Sequence, residues 1–140
     1  MNRKKQVAAL PIRWDEGGAL RILLVTSRET RRLVIPKGWP WRGVRDNKAA
    51  AEEAREEAGI LGRIAKKPLG TYTYDKRRPD GSIPVKVKVY VLEVEQELDE
   101  WPERAERERV WCTPDKAAAS VDEPELADLI RELGAKKREA

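Results

Sequence analysis

The amino-acid sequence predicts an α/β sandwich, in which a β-sheet packs against helices. Strand-like apolar segments lie in both halves of the chain, an alanine- and glutamate-rich helix lies between them, and an apolar helical stripe closes the C-terminal end. The length of 140 residues suits one domain with a single core, so we expect one domain over 1–140.

The strand predictions rest on apolar runs and on alternation. The segments "QVAALPIRW" and "ALRILLVTS" are rich in aliphatic residues, and Pro11 places the first of them at a sheet edge or bulge. The segment "VKVKVYVLEVE" alternates apolar and polar residues, which is typical of a half-buried strand. Shorter strands are expected in "RIAKKPLGTYTYD" and "RVWC", and "KRRPDGSIP" is expected to be a turn-rich basic loop.

The helix predictions rest on capping residues. Asn47 is a suitable N-cap for the helix that follows, and Gly59 can take the left-handed position after its last turn. Thr113 and Asp122 are expected to cap two C-terminal helices, the second beginning near Pro124. The stripe expected to pack on the sheet consists of Leu126, Leu129, Ile130 and Leu133. The charged tail, residues 134–140, is expected to be frayed.

The composition excludes several kinds of site. The chain has no histidine, which rules out histidine-based triads, histidine general bases and histidine-ligated zinc. Cys112 is its one cysteine, so no intramolecular disulfide can form, and this thiol is interpreted as a small buried hydrophobe. No apolar run has the roughly 20 residues that a bilayer requires, so we expect no membrane association and a cytoplasmic location.

Charge is distributed unevenly along the chain. The net charge is +4, but residues 63–88 hold eight lysines and arginines against two aspartates, and glutamates dominate residues 93–103. A local basic zone suggests an anionic partner. A nucleic-acid contact through "KKPLGTYTYDKRRPDG" is the weakest form of this hypothesis, so we consider nucleic acid unlikely as a partner.

The segment "NKAAAEEAREEAGI" places carboxylates on one side of a helix. Glu53, Glu56 and Glu57 are spaced i, i+3 and i+4, within an arc of about 100°. Like charges at these spacings repel one another, and a divalent cation would relieve that repulsion. Mg²⁺ takes hard oxygen ligands and is commonly held by one or two carboxylates together with substrate phosphates. The alternative from these residues alone is a solvated surface helix.

The segment from Gly38 to Ile60, "GWPWRGVRDNKAAAEEAREEAGI", resembles the Nudix hydrolase signature. That signature reads G, five residues, E, seven residues, R-E-aliphatic-x-E-E-x-G-aliphatic, and it aligns here without a gap. The three glutamates and both glycines match, whereas Val44 replaces the first glutamate and Glu52 replaces the arginine. The wider sequence looks like a bacterial branch of the diphosphoinositol polyphosphate phosphohydrolase group, whose members also cleave diadenosine polyphosphates.

The resemblance implies a Nudix-type α/β/α sandwich with a mixed β-sheet flanked by helices, and it also implies site residues. Glu56 would be the proton acceptor, Glu53 and Glu57 would bind Mg²⁺ with Mn²⁺ as the other candidate, and Gly38 could add its carbonyl. The physical argument alone leaves the roles of the three glutamates open, with Glu56 also a candidate metal ligand. Positions expected to bind the substrate are Lys4, Lys5, Arg28, Lys37, Gly38, Trp39, Lys86 and Arg107.

The function expected from these residues is hydrolysis of a phosphoanhydride bond. The substrate would be a small anion with a diphosphate or polyphosphate group, either a nucleoside-diphosphate-linked compound or a diphosphoinositol polyphosphate. A dinucleoside polyphosphate or other nucleotide pyrophosphohydrolase is the alternative, and a non-catalytic module that binds a polyphosphate or nucleotide is a second one. Trp41, Trp101 and Trp111 are expected to pack the fold, and the oligomeric state stays open.

Overall fold

A computed structural model describes residues 4–139, with side chains through residue 136. The strands are β1 (Lys5–Trp14), β2 (Leu20–Thr26), β3 (Leu33–Val34), β4 (Lys37–Gly38), β5 (Ile60–Ile64), β6 (Gly70–Arg78), β7 (Gly81–Glu97) and β8 (Arg109–Cys112). The α-helices are α1 (Asp46–Ala58), α2 (Pro114–Ser120) and α3 (Pro124–Glu139), and a short 3-10 turn covers Arg104–Glu106.

The eight strands form one mixed sheet. Its main path runs β3-β2-β1-β7-β5, while β4 pairs with β1, β6 with β7 and β8 with β2. The pairing of β1 with β7 is parallel, and the other pairs are antiparallel. The long strand β7 continues past β6 to pair with β5, so β6 and β5 both lie on the side of β7 that is opposite β1.

Side-chain alternation in the strands divides the apolar interior between the two faces of the sheet. In β1, Leu10 and Ile12 pack in the cluster that includes α2 and α3, whereas Val7 and Ala9 pack in the cluster that includes α1. Helices therefore cover both faces, and the predicted α/β/α sandwich with a mixed sheet is confirmed. No helix in residues 4–139 has the length and apolar character needed to span a membrane.

Pro11 lies in an internal strand, so the sheet edge, one of the two positions expected for it, is wrong. On one side β1 pairs with β7; on the other it pairs first with β4, at Val7 and Ala8, and then with β2 from Ile12 onward. Pro11 falls between these two partners. Because a proline lacks only the N–H, an interruption of the ladder on that side tolerates it in an internal strand.

The helix α1 begins one residue before the predicted cap. Asp46 is its first residue, Arg45 occupies the N-cap position without a side-chain hydrogen bond, and the Asn47 amide donates instead to the Ala65 carbonyl at 3.1 Å. The Lys88 ammonium also binds Asp46 at 2.8 Å. The start of α1 is therefore held by contacts with distant parts of the chain. Its end is as predicted, with Gly59 in the left-handed conformation at φ 65°.

Two other local predictions are corrected. The segment expected to be a basic loop is a β-hairpin, since β6 runs to Arg78 and β7 begins at Gly81. The tail expected to be frayed from residue 134 is helical, because α3 extends to Glu139; residue 140 lies outside the described residues.

Thr113 caps α2 as predicted, accepting from the Lys116 N–H at 3.2 Å. The first backbone bond of α3 runs from the Ala127 N–H to the Glu123 carbonyl, so the cap is one residue later than Asp122. The predicted α3 stripe is buried at Leu126, Ile130 and Leu133, and Leu129 packs against it.

Candidate active site

The helix α1 presents two of its three aligned carboxylates to the interior. Glu53 and Glu57 are each only 9% exposed, although both are charged side chains on a helix rich in charge. The Glu56 side chain is 34% exposed and lies 3.7 Å from the Arg55 guanidinium. Among residues 4–139, no group of three or more histidine, cysteine or acidic side chains converges closely enough to form a metal cluster. The site thus contains a buried carboxylate pair with a third carboxylate at its rim.

Gly38 makes room for this pair. A Cβ atom at Gly38 would lie 2.6 Å from each Glu53 carboxylate oxygen, which is closer than such atoms approach. The backbone of β4 therefore lies directly against the Glu53 carboxylate, and the Lys37 N–H donates to Glu57 Oε1 at 3.3 Å. Two buried carboxylates beside a glycine backbone offer hard oxygen donors of the kind that Mg²⁺ and Mn²⁺ prefer, so these residues fit a divalent cation.

Burial governs the electrostatics of the pair. Desolvation raises the pKa of Glu57 to about 8, and the negative charge of Glu53 adds to this effect while Arg107 opposes it. Desolvation also raises the pKa of Glu53, with a further contribution from the charge of Glu56. For Glu57 the unfavourable burial of the carboxylate outweighs the Arg107 cation nearby, and for Glu53 it outweighs the side-chain hydrogen bonds from Trp41 and Glu57. A bound cation would compensate this excess of buried negative charge.

Arg107 connects the loop after β7 to the buried pair. Its side chain is 10% exposed and donates to Glu103 Oε1 at 2.7 Å and to the Thr26 carbonyl at 3.1 Å. It also lies 3.9 Å from Glu57 Oε1. Arg107 therefore fixes this loop against β2 and leaves part of its guanidinium facing Glu57.

The C-terminal end of α1 is held by Trp101, which was expected only to pack the fold, and by Arg109. The Trp101 indole donates to the Glu57 carbonyl at 3.2 Å, and Arg109 Nη1 donates to the Ala58 and Gly59 carbonyls at 3.3 and 3.2 Å. The Arg109 guanidinium also stacks on the Trp101 ring at 4.1 Å. Since helix ends leave carbonyls unpaired, Trp101 and Arg109 together fix the last turn of α1, which contains Glu57.

The Trp101 ring also explains the shape of the turn after α1 in physical terms. A Cβ atom at Gly59 would overlap this ring, so Gly59 is required for close approach as well as for its positive φ. No residue pattern within the helix segment predicts these contacts, because Trp101 is 44 residues away from Glu57 in sequence.

Both departures from the signature are accommodated. Val44 is an exposed side chain, at 38%, in the loop before α1. Glu52 forms a hydrogen-bonded ion pair with Arg55, which partly neutralises it. Trp41 is also exposed rather than packed, at 42%, and its side chain hydrogen-bonds to Glu53. The expectation that Trp41 merely packs the loop is therefore wrong.

A cavity of about 480 Å³ opens next to the buried pair. Of the residues expected to bind substrate, Arg28, Lys37, Gly38, Trp39 and Arg107 line it. Burial lowers the pKa of Lys37, whose ammonium lies 5.0 Å from the centre of the Tyr74 ring.

Three of the expected residues lie elsewhere. Lys4, Lys5 and Lys86 are absent from the lining of this cavity, and Lys5 pairs with Lys86 where β1 meets β7. Eight lining residues were missed by sequence reasoning, because distant segments bring them together: Gln6, Ser27, Glu29, Thr30, Arg32, Val34, Tyr74 and Lys76. We know of no local signal in the sequence that singles them out.

The fold and the buried glutamates define a class of protein: an α/β/α sandwich with carboxylates and a close-packed glycine at a strand–loop–helix junction. The family described as the NUDIX domain matches residues 4–133, and the chain belongs to this family. The relatives that it matches are named as hydrolases.

Among curated proteins, the chain is 34% identical over 124 residues to "Nudix hydrolase 16, mitochondrial" of Arabidopsis thaliana, covering 84% of this chain and 67% of the relative. It is 36% identical over 108 residues to "Nudix hydrolase 12, mitochondrial" of the same plant, covering 70% and 50%. The chain thus spans between half and two thirds of the length of these relatives.

Among solved structures, the Ap4A hydrolase binary complex of C. elegans superposes with a TM-score of 0.71 at 22% identity, covering 97% of this chain and 98% of that one. The NUDIX domain of Shewanella oneidensis NrtR, complexed with ADP ribose, gives a TM-score of 0.67 at 15% identity, covering 94% and 88%. At these identities the structural likeness concerns the fold.

Proposed function

We propose that this protein is a divalent-metal-dependent hydrolase that cleaves a phosphoanhydride bond in a nucleotide-linked diphosphate. The observation that carries the proposal is the buried pair Glu53 and Glu57, held against Gly38 at the edge of a basic cavity. The named activity of the curated relatives supports it, as do two structural neighbours, an Ap4A hydrolase and a NUDIX domain complexed with ADP ribose.

The residues divide the chemical work as follows. Glu53, Glu57 and the Gly38 carbonyl would hold the metal ion, for which we propose Mg²⁺ with Mn²⁺ able to replace it. When bound, such an ion neutralises phosphate oxygens and makes phosphorus more susceptible to attack by water. Arg28, Lys37 and Arg107 line the same cavity and would neutralise the remaining phosphate charge as it develops.

Glu56 is the proposed proton acceptor. Its carboxylate is accessible to water, in contrast to its two buried neighbours, and lies on the same face of α1. A proton acceptor must reach a water molecule, and a side chain 34% exposed can do so. Lys4, Lys5 and Lys86 remain proposed contacts for the far end of a long polyanion, since they lie outside the cavity lining.

The proposed substrate is a dinucleoside polyphosphate or a related nucleotide diphosphate, rather than a diphosphoinositol polyphosphate. The cytoplasmic location expected from the sequence also remains a proposal, and several Arabidopsis relatives carry mitochondrial names.

A panel assay tests this function. Release of nucleotide and phosphate products would be measured from diadenosine tetraphosphate, ADP-ribose and a diphosphoinositol polyphosphate, with Mg²⁺, Mn²⁺ or EDTA. We expect turnover of the nucleotide substrates that EDTA abolishes and that Glu56→Gln lowers by about 10²–10⁴-fold. Tight binding without turnover in any divalent metal would instead identify a binding module and contradict the proposal.

A further inference from the structure

The 480 Å³ cavity beside the buried glutamates is called the catalytic cavity. A second cavity, of about 300 Å³, adjoins it and is called the hairpin cavity. Its lining residues are Trp39, Lys76, Arg78 and Ile83, and the last three belong to the β6–β7 hairpin. Trp39 and Lys76 also line the catalytic cavity, so the two cavities share a boundary. The hairpin cavity therefore lies beside the cavity that Glu57 lines.

The walls of the hairpin cavity combine flat apolar surface with charge at the rim. Trp39 supplies an indole face, Ile83 supplies a branched aliphatic side chain, and both pack against the cluster that holds α2 and α3. The Lys76 ammonium lies 5.9 Å from the centre of the Trp39 ring, within the range of a cation–π contact. The Trp39 ring and the Lys76 ammonium therefore meet at the boundary that the two cavities share.

These features favour one chemical class of ligand. A planar heteroaromatic ring can stack on the indole and contact Ile83, whereas a polyphosphorylated cyclitol offers neither a π face nor apolar surface. Lys76, on the boundary, can contact a phosphate of the same ligand in the catalytic cavity, and Arg78 is an exposed cation whose nearest acidic partner, Asp80, is 4.0 Å away.

We propose that the hairpin cavity binds the nucleobase of a nucleotide whose phosphates occupy the catalytic cavity. This inference rests on the proposed function for the position of the phosphates, and it assigns substrate selectivity to Lys76 and Ile83 of the hairpin. The hairpin, and not the glutamates, then distinguishes nucleotides from other polyphosphates.

Two ligands that differ only in the nucleoside test the proposal. Isothermal titration with Mg²⁺ would compare α,β-methylene-ADP, which resists hydrolysis, with methylenediphosphonate. We expect wild-type protein to bind the nucleotide about 5- to 150-fold more tightly, since stacking of a base on an aromatic side chain contributes about 1–3 kcal/mol.

Ile83→Trp would fill the hairpin cavity. We expect it to remove most of the preference for the nucleotide while leaving methylenediphosphonate affinity within about twofold. Ser82→Trp is the matched control, because neighbouring residues of a strand point to opposite faces, and it should keep the preference. Trp39→Leu is a second route to the same loss, checked for folding by thermal unfolding.

The nucleobase subsite would be overturned by any of three results. Wild type could bind the two ligands equally, it could show no measurable nucleotide binding, or its preference could be unchanged in both Ile83→Trp and Trp39→Leu. The hydrolase proposal fails separately, if a selective preference is measured yet no substrate is turned over. Turnover at the same kcat/KM for substrates with and without a base would leave the hydrolase intact and reject the subsite.

Discussion

Replacing Glu57 by glutamine should change how the stability of the metal-free protein depends on pH. Burial raises the pKa of this carboxyl to about 8, against 4.5 for an unperturbed glutamate. The folded state therefore binds the proton more tightly than the unfolded state does. The stabilising effect of that proton is complete below pH 4.5 and is lost as the pH rises toward 8.

The magnitude follows from the size of this shift. A difference of about 3.5 pKa units at 1.36 kcal/mol each sets an upper limit of about 5 kcal/mol above pH 8. Since the Glu57 side chain is still 12% exposed and Arg107 lies nearby, we expect the free energy of unfolding to fall by roughly 2 kcal/mol between pH 5 and pH 8 through this group. Glutamine has nearly the same shape but no charge, so the Glu57→Gln variant should lose this pH dependence.

Urea unfolding in EDTA at several pH values measures the effect. The free energy of unfolding of wild type should fall by about 2 kcal/mol more than that of Glu57→Gln between pH 5 and pH 8. Glu95→Gln, at an exposed position of β7, is the control and should follow wild type. Parallel curves for wild type and Glu57→Gln would refute the reasoning, because burial of the charge could not then govern this site.

The other predictions concern the geometry around the buried pair. Gly38→Ala should lower turnover by at least about tenfold and destabilise the fold by about 1–3 kcal/mol, because the new Cβ displaces the Glu53 carboxylate. The backbone at Gly38 has no positive φ, so alanine adds no backbone strain there. A steady-state assay and urea unfolding would detect the two effects, and wild-type activity would contradict the close approach. Arg109→Met should lower kcat and weaken metal binding several-fold, because it loosens the last turn of α1; Mn²⁺ titration measures the binding. Arg131→Met, on the exposed face of α3, is the control. Equal effects of the two substitutions would contradict a positioning role for Arg109. Lys37→Met should stabilise the protein in urea at neutral pH, since burial lowers the pKa of this lysine, while raising KM for the nucleotide substrate; an unchanged KM would remove Lys37 from the substrate site.

Features of this site that depend on residues close in sequence could be predicted, and features that depend on distant residues could not. The positions of Glu53, Glu56 and Glu57 on one helix face, and the left-handed Gly59, depend on spacing within a few residues and could be predicted. The unequal burial of the three glutamates could not, since it depends on how α1 lies against β4. Arg109 reaches the end of α1 from 50 residues away, and no local pattern encodes such a contact.

The same distinction explains the errors in the fold. Asn47 is a good cap by residue type, but its amide is used by Ala65 on another segment. Pro11 usually indicates an edge strand, and only the exchange of partners from β4 to β2 makes an internal position acceptable. The hairpin that lines the second cavity was predicted to be a loop, because its many charged residues are also typical of loops.

The central claim is that Glu53 and Glu57 hold a divalent cation that hydrolysis requires. The most direct measurement is Mn²⁺ binding, followed by electron paramagnetic resonance, to wild type, Glu53→Gln, Glu57→Gln and the control Glu95→Gln, alongside diadenosine tetraphosphate hydrolysis by the same samples. Both buried-site variants should lose binding and turnover together, while the control should keep both. Unchanged Mn²⁺ affinity in Glu53→Gln and Glu57→Gln, or hydrolysis that persists in EDTA, would contradict it.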